Sequence, residues 1–334
     1  MERKISLTGI KPTGILHIGN YFGAIKPALE LVNTYDALYF IADYHALNTM
    51  KDPAKLRASI REVAAGWLAA GLDPDRVIFY RQSGIPEVFE LTTMIMAFTA
   101  KGLMNRAHAY KAQAAANSEK GADPDAGVNM GLFTYPVLMA ADILLFNADV
   151  VPVGKDQIQH IEMAQDIAGA VNANYKQLVL KIPRPAVQEE AAVVPGLDGR
   201  KMSKSYHNTI PLFLDEKDLR KLIMRMVTNS QPLEDPKDPE TSQIYLLYKL
   251  FSSAEEQAAL ASRYRAGGMG WGEAKEELFR VVNRCLAPLR ERFRAVIADV
   301  EGLDRILKRG AEKARPIAAA TVERFRKAAG IELY

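Results

Sequence analysis

The sequence has a single cysteine, Cys285, in 334 residues. One thiol excludes an internal disulfide framework, and it excludes any zinc or iron–sulfur site built from several thiolates of this chain. We expect Cys285 to pack in a helical core and the protein to work in a reducing compartment, the cytoplasm.

The sequence also lacks a long apolar run and an excess of charge. Its most apolar stretch, residues 138–146, contains Asp142 and is far shorter than the ~20 residues of a membrane-spanning helix, so we expect no membrane segment. Residues 1–8 begin with charges, and Gly9 follows before an apolar core could form, so we expect no secretion signal. Lys plus Arg total 43 against 40 Asp plus Glu, and this net charge of +3 neither indicates nor excludes a nucleic-acid partner.

The first half of the chain alternates short apolar runs with segments at helical spacing. The predicted strands are 4–8, 37–42, 77–80 and 150–153, and the predicted helices are 15–32, 53–72, 86–100, 133–147 and 157–175. This rhythm predicts an α/β fold with a doubly wound, Rossmann-like parallel sheet, whose ligands lie at the carboxyl ends of the strands. Residues 112–129 show no apolar periodicity, so we expect a mobile surface loop there.

Strand patterns disappear after residue 215, and the rest of the chain reads as amphipathic helices. A prior of roughly 100–200 residues per domain also favours two domains. We therefore predict a nucleotide-binding domain over residues 1–206 and an all-helical domain over 207–334. Its last helix, 317–329, is expected to pack back on the first domain.

Residues 8–20 combine a strand end, a Gly/Pro turn and the start of a helix. Gly9 and Gly14 let backbone approach a ligand closely, and the helix N-terminus offers free N–H groups to a phosphate. His17 and Asn20 lie on one face of that helix, at i and i+3. A plain glycine turn with a histidine packed on the sheet explains the same pattern.

Residues 195–205 place Arg200, Lys201 and Lys204 on a glycine-containing loop. Lysines on such a loop can bind a polyphosphate and stabilise the charge that develops on a leaving pyrophosphate. The alternative is a solvated basic loop at a domain junction.

Together these motifs resemble a known family. His17-Ile18-Gly19-Asn20 and Lys201-Met202-Ser203-Lys204-Ser205 look like the two signatures of class I aminoacyl-tRNA synthetases; the second matches letter for letter, and the first ends in Asn where many members have His. Residues 43–45, 135–144 and 151–162 resemble the tryptophanyl-tRNA synthetase branch, so the resemblance spans essentially the whole chain.

The resemblance implies a two-step ligase reaction. ATP and L-tryptophan would form tryptophanyl-adenylate and pyrophosphate, and the tryptophanyl group would then move to the 3′ end of tRNA(Trp). Mg²⁺ would be carried by ATP, with no metal site in the protein. A tyrosyl-tRNA synthetase, a non-catalytic RNA-binding paralogue and a small-molecule nucleotidylyltransferase are the alternatives.

The resemblance also implies the residues of an ATP site. They are Lys11, Pro12, Thr13, Gly19, Asn20, Gly154, Lys155, Asp156, Val194, Lys201, Met202, Ser203, Lys204 and Ser205. Val194 would lie against the adenine, and His17 would contact phosphate. Lys201 and Lys204 would hold the departing pyrophosphate, which makes His17, Asn20, Lys201 and Lys204 the expected catalytic residues.

Asp142 lies within an apolar run, where an unpaired carboxylate is costly, so it should have a hydrogen-bond donor. On the residues alone, a Lys or Arg of a neighbouring helix is the favoured partner; the resemblance makes the donor the indole N–H of tryptophan. By the same resemblance, the tryptophan pocket would be completed by His45, Tyr135, Met139, Val151, Val153 and Gln157. No large editing insertion interrupts the chain, which fits a large side chain that one site can discriminate.

The resemblance implies two further partners for the chain. The helical region would hold the tRNA anticodon through basic residues, although exposed helices carry such residues in any protein. The candidates are Lys221, Arg225, Arg284, Arg290, Arg292, Arg294, Lys308, Arg309, Lys313 and Arg315. Family members are homodimers, and residues 89–110 are the expected interface or, alternatively, part of the monomer core.

Overall fold

The computed structural model describes residues 3–12, 14–154, 157–187 and 194–332. Three residues of the expected ATP site, Thr13, Lys155 and Asp156, lie outside the described residues.

Five parallel strands form one sheet in the described part of the chain. They are β1 (Ile5–Ile10), β2 (Asp36–Ile41), β3 (Ile78–Arg81), β4 (Val150–Val153) and β5 (Arg184–Val187), in the order β3-β2-β1-β4-β5. The order runs outward in both directions from the β1–β4 pair, so the predicted doubly wound sheet is confirmed. The first four strands overlap the predicted ones, whereas β5 is a strand that the sequence pattern did not predict.

Helices cover both faces of the sheet and make up the region that follows it. They are α1 (Ile18–Asn20), continued by a π-helical turn (Tyr21–Ile25) into α2 (Lys26–Leu31), α3 (Asp43–Ala46), α4 (Pro53–Ala69), α5 (Glu87–Met96), α6 (Lys101–Asn105), α7 (His108–Glu119), α8 (Met130–Leu145), α9 (Ile158–Tyr175), α10 (Glu216–Met224), α11 (Gln243–Lys249), α12 (Ala254–Ala266), α13 (Trp271–Ala298) and α14 (Val300–Ala329). None of the helices in the described ranges combines the length and the apolar character needed to cross a membrane.

The alternation of side chains along β2 divides the core into two layers. Leu38 and Phe40 point into a cluster with α5, α8 and α9, while Tyr39 and Ile41 point into a second cluster with α4. A third cluster fills the helical region and includes Ile18, Val194 and Met202 of the first 206 residues. The two-domain division at residue 206 stays a prediction.

The prediction for residues 112–129 was wrong in its first half, because α7 continues to Glu119. Most side chains of α7 are exposed or half-buried, so no apolar face marks the helix in the sequence. Five of its twelve residues are alanine, which has the highest helix propensity and so supports a helix without a buried stripe. The buried side chain of Asn117 closes the following turn by donating to the carbonyl oxygens of Pro124 (2.9 Å) and Ala126 (2.8 Å).

The long helix α14 lies against strand β3. A Cβ atom at Gly310 would lie 1.8 Å from the carbonyl oxygen of Phe79, so only glycine permits this approach. Arg315 and Arg326 of the same helix form ion pairs with Glu87 and Glu90 of α5. The helix therefore joins the region after residue 206 to the edge of the sheet.

Candidate active site

The candidate site lies at the carboxyl ends of β1 and β4, where the strand order changes direction. Chain connections leave adjacent strands in opposite directions at such a point and open a crevice for ligands. A cavity of about 560 Å³ occupies this position. All seven side chains expected to contact tryptophan border it, as do Lys11 and Gly154 of the expected ATP site.

Asp142 supplies a buried carboxylate to this cavity from α8. Its partners are not the Lys or Arg that the sequence alone favours. Gln82 donates through Nε2 to both carboxylate oxygens, at 2.9 and 2.8 Å, and His45 Nε2 lies 3.0 Å from Oδ2. Burial raises the pKa of Asp142 above its usual value, while the bonds from His45 and Gln82 act in the opposite direction. The result is a strong hydrogen-bond acceptor in a mostly apolar cavity.

Gln82 is a residue that sequence reasoning missed. It follows β3 directly and is completely buried. Its Oε1 accepts the backbone N–H of Tyr44 at 3.1 Å, so its Nε2 must face Asp142. The available signal was its position, as the first polar uncharged residue after a buried strand that ends at the ligand edge of the sheet.

A second buried carboxylate, Asp43, fixes the turn that carries His45. Asp43 accepts hydrogen bonds from Arg81 (3.2 Å), from the backbone N–H of Ser83 (3.0 Å) and from the Ser83 hydroxyl (2.5 Å). These partners come from the end of β3 and the turn after it. The β2 and β3 ends are thereby tied together, which holds His45 and Gln82 on the same side of Asp142.

Tyr135 and His160 form another polar pair on the cavity wall. The Tyr135 hydroxyl and His160 Nε2 are 2.6 Å apart, and burial raises the pKa of Tyr135. His160 comes from α9 and was also missed by sequence reasoning. Met139, Val151 and Val153 belong to the apolar part of the wall.

His17 and Asn20 cap the first turn of α1 together. His17 Nδ1 accepts the backbone N–H of Asn20 at 3.3 Å, and Asn20 Oδ1 accepts the backbone N–H of His17 at 3.2 Å. Burial and the nearby charge of Lys204 lower the pKa of His17 to about 4, so its imidazole is neutral at pH 7. Because Nδ1 is an acceptor, the ring proton lies on Nε2, where it can be donated to a phosphate oxygen.

The lysine hairpin, residues 194–205, packs directly on this cap. Its arms pair through Pro195 and Lys201, and the backbone N–H of Gly19 points to Met202 Sδ at 3.3 Å. A Cβ at Gly14, whose φ is +68°, would lie 3.4 Å from Lys204 Nζ. The structure therefore brings the two signature motifs together across the β1–α1 loop, and burial lowers the pKa of Lys204.

Val194 and Met202 lie on the apolar side of the hairpin. Both are buried with Ile18, and the Met202 backbone N–H donates to the Val194 carbonyl oxygen at 2.8 Å. Neither side chain is among those bordering the Asp142 cavity. The contact of Val194 with adenine stays a prediction.

The sequence profile of the tRNA synthetases class I (W and Y) matches residues 2–287. The chain belongs to this family. Family membership confirms the resemblance drawn from the motifs and argues against a small-molecule nucleotidylyltransferase.

Close relatives within the family carry one name. The tryptophan–tRNA ligase of Bordetella parapertussis is 53% identical over 97% of this chain and 72% of its own length. That of Neisseria meningitidis is 48% identical over 99% of both chains. The solved structure of tryptophanyl-tRNA synthetase from Campylobacter jejuni, complexed with ADP and tryptophan, has a TM-score of 0.91 at 44% identity and covers 98% of this chain and 99% of that one.

Several basic residues expected to contact tRNA have partners within this family member. Arg290 is buried and donates to the carbonyl oxygen of Leu214 at 2.6 Å, so it stabilises the packing of α13 and is not available for a surface contact. Other ion pairs or hydrogen bonds are Arg284–Glu256, Arg294–Asp215, Arg309–Asp75, Arg315–Glu87 and Arg292 with the Ala69 carbonyl oxygen. The anticodon contacts stay predictions.

Proposed function

We propose that this chain activates L-tryptophan with ATP, forming tryptophanyl-adenylate and pyrophosphate, and then transfers the tryptophanyl group to the 3′ end of tRNA(Trp). The observation that carries the proposal is the buried Asp142 carboxylate in a largely apolar cavity at the ligand edge of the sheet. The cavity and the lysine hairpin both border the β1–α1 loop, through Lys11 and Gly14 respectively. The site therefore offers two adjacent positions, one for an aromatic side chain with an N–H and the other for a polyphosphate.

The activation step needs no nucleophile from the protein. A carboxylate oxygen of tryptophan attacks the α-phosphorus of ATP, the bond from that phosphorus to the bridging oxygen breaks, and pyrophosphate leaves with the electron pair. Catalysis is therefore mainly positioning and stabilisation of phosphate charge. We assign that stabilisation to the N–H of neutral His17 and to Lys201 and Lys204, with Asn20 fixing the His17 ring.

Asp142 is the proposed specificity residue for the indole N–H. In the structure, His45 and Gln82 already donate toward this carboxylate, so it is oriented before substrate arrives. A ligand without a suitably placed N–H would dehydrate the carboxylate and return no bond, which is the stronger form of discrimination available to a binding site. Tyr135, Met139, Val151, Val153 and Gln157 would enclose the rest of the substrate.

ATP is the substrate for this site, and Mg²⁺ is proposed to arrive on its phosphates. No group of three or more His, Cys, Asp or Glu side chains in the described ranges could hold a metal ion. A phosphate-borne Mg²⁺ fits such a site, because the ion binds phosphate oxygens and keeps several waters. It would supply neutralisation of the triphosphate charge.

We further propose a cytoplasmic homodimer. The expected interface, residues 89–110, includes Phe89 and Met96 of α5, and each of these two residues is 44% exposed. Leu91 and Ile95 of the same helix are buried in the monomer, so α5 presents apolar side chains to both sides. Apolar side chains exposed together are typical of subunit contacts.

The proposal is tested by ATP–pyrophosphate exchange with each standard amino acid in turn. We expect exchange with tryptophan only, and we expect Asp142→Ala to abolish it while ATP binding is retained. Exchange with tyrosine in place of tryptophan would refute the assignment of the pocket. No exchange with any amino acid would refute catalysis and favour the RNA-binding paralogue.

A further inference from the structure

The side chain of Asn208 holds the lysine hairpin from its inner side. Asn208 is 2% exposed. Its Oδ1 accepts the backbone N–H of Ser203 at 2.8 Å, and its Nδ2 donates to the carbonyl oxygen of Lys201 at 3.1 Å and to Asp198 Oδ1 at 2.6 Å. One amide therefore bonds the backbone at the first signature lysine and at the residue just before the second, Lys204.

The rest of the hairpin is shaped around this amide. The backbone carbonyl of Asn208 accepts the N–H of Leu197 at 3.0 Å, and a Cβ at Gly196 would lie 2.3 Å from Asn208 Nδ2. Asp198 is the third partner of the Asn208 amide, and its carboxylate also accepts hydrogen bonds from Arg200. Only glycine at position 196 leaves room for the amide, and the turn from 197 to 200 closes over it.

We propose that Asn208 is a positioning residue of the activation reaction, which sets the spacing and direction of Lys201 and Lys204 toward the polyphosphate. The inference rests on the proposed function of the hairpin. A lysine is a point charge on a flexible four-carbon stem, so its backbone must be fixed if the charge is to be in place before the reaction. The bonds of Asn208 supply that restraint without a contact to substrate.

The first test is Asn208→Ala, measured by tryptophan-dependent ATP–pyrophosphate exchange. Displacement of the lysines by roughly 1 Å should lower kcat by about tenfold to a hundredfold. KM for tryptophan should stay within about twofold of wild type, because the Asp142 cavity shares no hydrogen bond with Asn208. A parallel rise in KM for tryptophan and KM for ATP would indicate general damage and would overturn the proposal.

Asn172→Ala is the matched control. Asn172 also uses both ends of its side-chain amide to bond the backbone beside a turn: Oδ1 accepts the N–H groups of Val179 and Leu180, and Nδ2 donates to the Leu180 carbonyl oxygen. This turn connects α9 to the start of β5, so it lies at the amino ends of the strands, opposite the ligand site at their carboxyl ends. We expect a lower Tm for both variants and a lower kcat for Asn208→Ala only; equal kcat losses in the two would overturn the proposal.

A second pair of variants tests the donor–acceptor pattern even if the alanine variant is poorly folded. Asn208→Asp keeps the shape of the side chain and its acceptor for Ser203, but it brings two carboxylates together at the 2.6 Å contact with Asp198. Adding Asp198→Asn restores a donor to that contact, while the Lys201 carbonyl oxygen and the Arg200 backbone N–H each keep a mismatched neighbour. We expect Asn208→Asp to lose exchange activity and the double variant to recover part of the loss.

The outcomes also separate this inference from the function on which it rests. Wild-type exchange together with full activity of Asn208→Ala and Asn208→Asp would overturn the role of Asn208 and leave the proposed function intact. Absence of exchange in the wild type would overturn the proposed function itself. Circular dichroism below the Tm of each variant identifies the folded fraction to which kcat refers.

Discussion

Replacing Asp142 by Asn changes a single oxygen of the cavity into an NH₂ group. Gln82 cannot turn to accept from it, because its Oε1 is already bonded to the Tyr44 N–H at 3.1 Å. The new amide must therefore present its oxygen to Gln82 Nε2, which lies 2.8 Å from Asp142 Oδ2 and 2.9 Å from Oδ1. With that oxygen at the Oδ2 position, where His45 Nε2 also lies at 3.0 Å, the NH₂ group takes the Oδ1 position and faces the second contact of Gln82 Nε2, so the charged acceptor proposed for the indole N–H is lost.

The expected loss follows from one hydrogen bond to a charged acceptor, which is worth about 1.5–3 kcal/mol. At about 1.4 kcal/mol per factor of ten, Asp142→Asn should lower kcat/KM for tryptophan by about 10- to 150-fold. KM for ATP should not change, because Asp142 has no contact with the lysine hairpin. The assay is ATP–pyrophosphate exchange at varied tryptophan and then varied ATP.

Although the variant should lose activity, its stability relative to the wild type should increase as pH rises. Burial raises the pKa of Asp142, so the folded state binds this proton more tightly than the unfolded state does. The wild type therefore loses free energy of unfolding as pH rises through the usual carboxyl pKa of about 4 up to the raised pKa, and asparagine does not titrate. The Tm of the variant minus that of the wild type should increase from about pH 4 to pH 7. An unchanged kcat/KM, or a Tm difference independent of pH, would refute this reasoning.

Two further changes test the phosphate side of the site and the attachment of α14. The pKa of His17 is lowered to about 4, so the wild type should lose free energy of unfolding as pH falls below the usual histidine value of about 6.5. His17→Gln should remove that loss, which Tm measurements at several pH values would check. Gly310→Ala places a methyl group 1.8 Å from the Phe79 carbonyl oxygen, and we expect urea unfolding to show a loss of about 1–3 kcal/mol. Gly272→Ala, with nothing within 4 Å of the added carbon, is its control and should be neutral or slightly stabilising.

The sequence pattern was sufficient to predict the first four strands and the helices that cover them, because β1 to β4 are short apolar runs and their helices carry apolar side chains at a spacing of 3.6 residues. It was insufficient for β5, whose four residues include Arg184 and Pro185 and lie at the edge of the sheet. It was also insufficient for α7, a mostly solvent-exposed helix with no apolar face. β5 depends on pairing with β4, and α7 depends on the helix propensity of its residues, so neither element has a periodic apolar pattern in the sequence.

The candidate site shows a similar division. Asp142 was detectable because a carboxylate in an apolar run must have a donor. Its donors His45 and Gln82 come from the ends of two other strands, 97 and 60 residues away, and the local signal for the glutamine is only its position directly after β3. Asn208 was equally hidden, because an asparagine in a turn is common and its role depends on close contacts with Gly196 and Asp198.

The close packing of α14 also protects the sheet from unwanted association. Strand β3 is at one edge of the sheet, and an uncovered edge presents unpaired backbone groups to which a strand of another molecule could add. At Gly310 the helix lies against the outer backbone of Phe79, leaving no space for an incoming strand. The helix that attaches the region after residue 206 to the sheet is thus also a barrier against edge-to-edge aggregation.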